Sequence, residues 1–83
     1  MLKKMRFDVK KELTGAELGH VNMIIMSWGR KDLLDKVNMD GYLTRSDVKE
    51  LIEPFRNVVA NAPGEPMAVI SASIVEKFEK FLG

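Results

Sequence analysis

Residues 14–29, TGAELGHVNMIIMSWG, decide the fold, because they combine a helix start, a helical apolar pattern and a helix stop. Thr14 and Glu17 form a capping-box pattern, in which the hydroxyl and the carboxylate bind free amides of the first turn. Gly29 predicts the end of the helix or a kink. Between these signals, apolar residues recur at three- and four-residue steps, at Leu18, Val21, Ile25 and Trp28. The stretch therefore predicts a capped helix that packs against the rest of the chain.

This helix is apolar on more than one side. Met23 and Met26 lie one turn apart and point away from the side formed by Val21 and Ile25. A helix that is apolar most of the way round buries more than one face, and the flexible methionine side chain adapts to varied partners. The residues either all fill the core or also meet another molecule. We predict a partner interface at Met23, Met26 and Trp28.

A second long helix is predicted to start at Thr44, with Asp47 placed to stabilise its N-terminus. Pro54 is expected to bend or shorten this helix, because proline lacks the amide that the turn requires. Residues 63–66, PGEP, end the helix and start the last one. Residues 67–75 are compatible with helix or strand, and we favour helix because the helical apolar stripe continues to Phe81.

The N-terminal segment, residues 2–13, is ambiguous. Met5, Phe7 and Val9 alternate with polar residues as in a half-buried strand, whereas Met5, Val9 and Leu13 also fit one helix face. We favour helix, because lysine and glutamate favour helices and no partner strand is evident. Further along, Arg30–Val37 predicts a short helix, and residues 38–41, NMDG, give the clearest turn signal.

Length and composition set the fold class. With 83 residues, of which 46% are hydrophobic and 30% charged, the chain is expected to form one ordinary globular domain over residues 1–83. We predict a mainly α fold, a small bundle of about four helices, with a short N-terminal β-strand as an alternative. The predicted core contains Leu18, Val21, Ile25, Trp28, Leu34, Leu51, Ile52, Phe55, Ile70, Ile74 and Phe78.

Several classes of protein are disfavoured. The chain has no cysteine, so a disulfide framework and a cysteine-based zinc site are excluded. The N-terminus lacks the apolar region of a signal peptide, and the longest apolar run, Met23 to Met26, is too short to span a bilayer. We therefore expect a cytoplasmic protein that does not associate with membranes.

The charge distribution suggests one alternative function. The net charge is only +1, but five basic residues precede Leu13, against Asp8 and Glu12. Contact with nucleic acid needs several converging positive charges. A nucleic-acid-associated module is therefore the second hypothesis, and its candidate contacts are Lys3, Lys4, Arg6, Lys10 and Lys11.

Residues 36–47, KVNMDGYLTRSD, resemble the calcium loop of EF-hand and dockerin proteins. Asn38 and Asp40 fall on the third and fifth loop positions, Gly41 on the sharp turn and Asp47 on the twelfth position. Lys36 stands at the first position, where calcium requires an oxygen ligand. A calcium-responsive protein is therefore the weakest of the three hypotheses, and a plain helix–turn–helix joint with Thr44 as N-cap is favoured.

Part of the same stretch, Arg30–Val37 and Leu43–Lys49 followed by Phe55, resembles the helical hairpin of bacterial HU and integration-host-factor proteins. In that family the hairpin builds a dimer core, and separate β-arms reach around DNA. Residues 65–83 are too short and too nearly neutral to form such arms. The resemblance therefore implies a local helical hairpin and does not imply family membership or DNA binding.

Catalytic chemistry is not predicted. His20 is the only histidine, and no serine stands in a recognisable nucleophile motif. We expect no catalytic residue, no cofactor and no metal ligand. The leading hypothesis is a small non-catalytic protein–protein interaction or regulatory protein that presents an apolar helical surface to a protein partner or to a second copy of itself.

Overall fold

The computed structural model describes residues 5–83, and this part of the chain is mainly α, as predicted. No helix in the described range is both long enough and apolar enough to cross a membrane. Lys3 and Lys4 lie outside the described residues. The elements in chain order are β1 (Arg6–Asp8), α1 (Val9–Glu12), α2 (Gly15–Trp28), α3 (Lys31–Asp35) with a π-helical continuation (Lys36–Asp40), β2 (Tyr42–Thr44), α4 (Arg45–Asn61) and α5 (Pro66–Leu82).

Both predicted helix starts are capping boxes. In α2 the Thr14 hydroxyl accepts from the Glu17 amide at 3.2 Å, and the Glu17 carboxylate accepts from the Thr14 amide at 2.8 Å. In α4, Thr44 and Asp47 exchange the same two bonds, each 3.1 Å long. Such caps contribute about 1 kcal/mol each, and they hold both carboxylates at fixed positions. Gly29, at φ 75°, ends α2 in the left-handed conformation that glycine adopts without strain.

The helix favoured for residues 2–13 is wrong at Arg6–Asp8, which form strand β1, and the alternative of a short N-terminal strand is confirmed there. This strand pairs antiparallel with β2, and Phe7 lies opposite Leu43 with both side chains buried. The partner was missed because β2 has only three residues and lies where a turn and an N-cap were expected. The helix begins only at Val9, where the Asp8 side chain accepts from the Lys11 amide at 3.2 Å.

Two details in the middle of the chain also differ from expectation. Residues 38–40 are helical rather than part of a turn, and the chain reverses at Gly41, at φ 76°. The Asn38 amide supports the helix by donating to the Leu34 carbonyl at 2.9 Å. Pro54 does not shorten α4, which continues for seven residues to Asn61. Residues 67–75 are helical, as favoured.

The core lies where α2, α4 and α5 meet the small sheet. The Phe78 ring packs edge-on against Phe7 and Phe55, with centroid distances of 5.1 and 6.1 Å. Most of the predicted core residues are buried, and Leu18, Leu34 and Ile70 are partly buried against them. Trp28 is the exception: it is the last residue of α2 and is exposed.

Candidate functional site

The exposed side of α2 carries no charged residue. Glu17 and His20, the only ionisable residues of this helix, both point inward and are buried. A helix exposed to water normally has charged residues opposite its apolar face, as α4 does at Lys49, Glu50 and Glu53. We call the exposed uncharged side the α2 outer face, and it consists of Gly15, Ala16, Gly19, Met23, Met26 and Ser27.

Two of the three predicted interface residues lie together on the α2 outer face. Met23 is 48% exposed and Met26 is 67% exposed. They follow Gly19 along the same side of the helix, since residues three and four apart are neighbours on a helix surface. A β-carbon added at Gly19 would meet no atom within 4 Å. The N-terminal half of the face therefore consists of small residues, and the C-terminal half carries the two methionines.

Trp28, the third predicted interface residue, belongs to another surface. It is 42% exposed, but it lies two residues after Met26 and so points to nearly the opposite side of the helix. The Arg30 guanidinium covers its ring at 5.1 Å and binds Glu50 of α4 at 2.8 Å. The structure therefore separates Trp28 from Met23 and Met26.

The inner side of α2 meets α5 through a buried polar cluster. The Glu17 carboxylate, 5% exposed, accepts from the Ser73 hydroxyl, the Lys77 ammonium and the Thr14 amide. Burial alone raises the pKa of Glu17, but these donors outweigh it and lower the pKa to about 2. Glu17 is therefore a charged structural contact between α2 and α5, and it was not predicted as one.

His20 and Ser71 form the one described pair that resembles catalytic machinery. Nε2 of His20 lies 2.8 Å from the Ser71 hydroxyl oxygen, and the imidazole packs against the Phe55 ring at a centroid distance of 5.6 Å. Burial lowers the pKa of His20, which favours its neutral form. Ser71 is 0% exposed and His20 is 4% exposed, so no substrate atom reaches the hydroxyl. The pair acts as a core hydrogen bond between α2 and α5.

The basic residues proposed to contact nucleic acid are only partly brought together. Lys10 and Lys11 are exposed on α1, whereas Arg6 lies on β1 with its guanidinium 5.3 Å from the centre of the Tyr42 ring. Arg6 shares a cavity with the carboxylates of Asp40 and Asp47. Its surroundings are therefore of mixed charge rather than uniformly positive.

The calcium-like loop, residues 36–47, is closed by an ion pair. The Lys36 ammonium lies 3.0 and 3.1 Å from the two carboxylate oxygens of Asp47, so it links the first and twelfth positions of the loop. Burial raises the pKa of Asp47, but bonds from Thr44 and the Lys36 ammonium outweigh it and lower the pKa overall. Within residues 5–83, no group of three or more histidine, aspartate or glutamate side chains is placed to hold a metal ion.

Comparisons with protein-family models, with curated proteins and with solved structures found no match to this chain. The α2 outer face carries no charged residue and exposes both Met23 and Met26, and we take it as the candidate functional site.

Proposed function

We propose that this chain is a small non-catalytic interaction protein that self-associates through the α2 outer face. The observation that carries the proposal is an uncharged helix face on a chain in which 30% of the residues are charged. Exposed apolar surface of this kind is typical of sites where another protein binds. Met23 and Met26 supply adaptable apolar contacts, and we assign them the central role.

Gly19 gives independent support. A glycine inside a helix costs about 1 kcal/mol relative to alanine, because its backbone loses more freedom on folding. Among residues 5–83, no atom lies within 4 Å of a β-carbon added at Gly19, so this part of the chain does not require glycine there. Close approach of a second helix would explain the residue, since packed helices lie about 8 to 10 Å apart depending on the side chains at the contact, and small residues allow the shorter distances.

A second copy of the chain is the occupant we propose for this face. An uncharged face can pack against its own copy about a two-fold axis without placing like charges together. Two-fold dimers are the commonest homo-oligomers. The α2 helix is about 21 Å long, so an interface limited to it lies at the small end of specific interfaces. Association is therefore expected to depend on protein concentration.

Replacing both Met23 and Met26 with lysine is expected to abolish self-association. Two ammonium groups at a two-fold contact bring four positive charges together, whereas lysine preserves helix propensity. Light scattering coupled to size-exclusion chromatography, from about 10 μM to about 1 mM protein, measures the mass; these concentrations correspond to binding free energies of about −7 to −4 kcal/mol. The wild type should approach the dimer mass, and the double variant should remain monomeric.

Two further variants make the result specific. Met39→Lys changes a methionine that is 80% exposed outside α2, and it should leave the wild-type association unchanged. Gly19→Ala should raise the stability of the monomer by up to about 1 kcal/mol while weakening association, because a methyl group obstructs close approach. A wild type that stays monomeric to 1 mM, or equal effects of Met39→Lys and the double variant, would refute the proposal.

A further inference from the structure

The contact between α2 and α5 contains two ionisable side chains of α2, and their partners differ. The Glu17 carboxylate accepts from the Ser73 hydroxyl and from the Lys77 ammonium, so a negative charge there is compensated. His20 follows one turn later, and its one described hydrogen bond joins Nε2 to the Ser71 hydroxyl oxygen at 2.8 Å. The contact is therefore built for a charged Glu17 and for a neutral His20.

The other elements packed against His20 offer no counter-charge among the described residues. On α5, residues 66–75 contain no charged residue. On α4, the imidazole meets the apolar ring of Phe55, and the charged residues beside that ring, Glu53 and Arg56, are exposed and bind each other at 3.3 Å. A positive charge on His20 would therefore lie between a hydroxyl and apolar side chains.

The nearest carboxylate in the sequence, Glu17, does not compensate such a charge. Lys77 already pairs with it, and the pair is neutral as a whole. An unpaired charge in a buried site costs far more free energy than a neutral polar group with a hydrogen bond. In addition, both ring nitrogens of a protonated imidazole donate, so Nε2 could no longer accept from the Ser71 hydroxyl. The closed contact between α2 and α5 thus favours the neutral imidazole, whereas the unfolded chain accepts the proton in water.

We propose that His20 makes the packing of α2 on α5 sensitive to acid: the neutral imidazole holds the two helices together, and its protonation weakens their contact. Burial lowers the pKa of His20 below its ordinary value of 6.5, so the unfolded chain binds the proton first as the pH falls. The stabilisation is therefore complete above pH 6.5 and is lost progressively below it. All of these contacts lie within one chain, so the proposal does not depend on self-association.

The test compares the unfolding equilibria of the wild type and of His20→Gln by urea denaturation at several pH values from about 7.5 to about 5.5. Glutamine offers the Ser71 hydroxyl a neutral amide and does not titrate, so this variant removes the proton-binding group but keeps a polar partner. The unfolding equilibrium constant of the wild type should rise below pH 6.5 by up to about tenfold per pH unit, the limit for one proton. That of His20→Gln should change by less than about twofold over the whole range. Glu17 does not contribute, because its stabilisation is complete above pH 4.5.

A second measurement needs no variant, and it decides alone if His20→Gln does not fold. His20 is the only histidine, so one imidazole Cε1–H signal in the proton NMR spectrum follows its protonation. In the folded wild type this signal should titrate with a midpoint below pH 6.5. The Ser71 amide signal should shift along the same curve, whereas that of the exposed Lys49 on α4 should stay fixed. The proposal is overturned if the imidazole titrates at or above pH 6.5 in folded protein, if the wild-type unfolding constant does not change with pH, or if His20→Gln shows the same pH dependence as the wild type.

Discussion

Replacing Phe78 with alanine is expected to lower the free energy of unfolding by about 3 to 5 kcal/mol, which is the usual cost of truncating a buried aromatic side chain to alanine. Phe78 is fully buried and connects the ring of Phe7 on β1 with the ring of Phe55 on α4. Its loss removes apolar burial and leaves a cavity at the point where the sheet and two helices meet. Urea denaturation followed by circular dichroism measures the change.

A small domain makes this effect large. A chain of this length has an expected stability at the lower end of about 5 to 15 kcal/mol, so the variant should be partly unfolded at 37 °C. Val69→Ala on the same helix is the matched control, because Val69 is exposed, and it should change stability by less than about 0.5 kcal/mol. A loss below about 1 kcal/mol for Phe78→Ala would show that the three rings do not form the centre of the core.

The second large effect concerns Glu17. Replacing it with glutamine is expected to cost about 2 to 4 kcal/mol at pH 7, because the Lys77 ammonium and the Ser73 hydroxyl lose a buried carboxylate. The folded pKa of about 2 lies below the ordinary value of 4.5, so the folded state favours the charged form. By linkage this difference stabilises the fold by about 3 kcal/mol at neutral pH.

The sign of the pH dependence follows from the lowered pKa. The stabilisation by Glu17 is complete above pH 4.5 and is lost as the pH falls toward 2, where the folded protein also binds the proton. The free energies of unfolding of the wild type and of Glu17→Gln, measured by urea denaturation between pH 7 and pH 2, should therefore converge in acid. If the two free energies instead differ by the same amount at every pH in this range, folding does not change the pKa of the Glu17 carboxylate.

The parts of the fold that could be predicted are those with local signals. The capping boxes at Thr14 and Thr44 and the left-handed Gly29 depend on residues within one turn, so spacing alone located them. Strand β1 was predicted only as the alternative to a helix, because its identity depends on β2, more than thirty residues away. Helical pattern and strand pattern fit residues 5–9 equally, and only the distant pairing decides between them.

In the candidate site, too, the features that depend on local spacing could be predicted and those that depend on distant contacts could not. Helical spacing correctly placed Met23 and Met26 away from the core side of α2. The opposite orientation of Trp28 follows from the same spacing, but its exposure does not, because spacing alone placed it among the core residues. Glu17 was recognised only as a cap, because its partners Ser73 and Lys77 are 56 and 60 residues away. The inward direction of Glu17 is what leaves the α2 outer face without charge.

Methyl NMR of protein labelled with ¹³C at the methionine methyl groups tests the central claim most directly. The chain has six methionines, and Met39 and Met5 are exposed outside α2, so they act as internal controls. On dilution from about 1 mM to about 10 μM, a span of about 3 kcal/mol in binding free energy, we expect the Met23 and Met26 signals to shift together. The Met39 and Met5 signals should stay fixed. Signals of Met23 and Met26 that do not change with concentration, or shifts confined to other methionines, would contradict self-association through the α2 outer face.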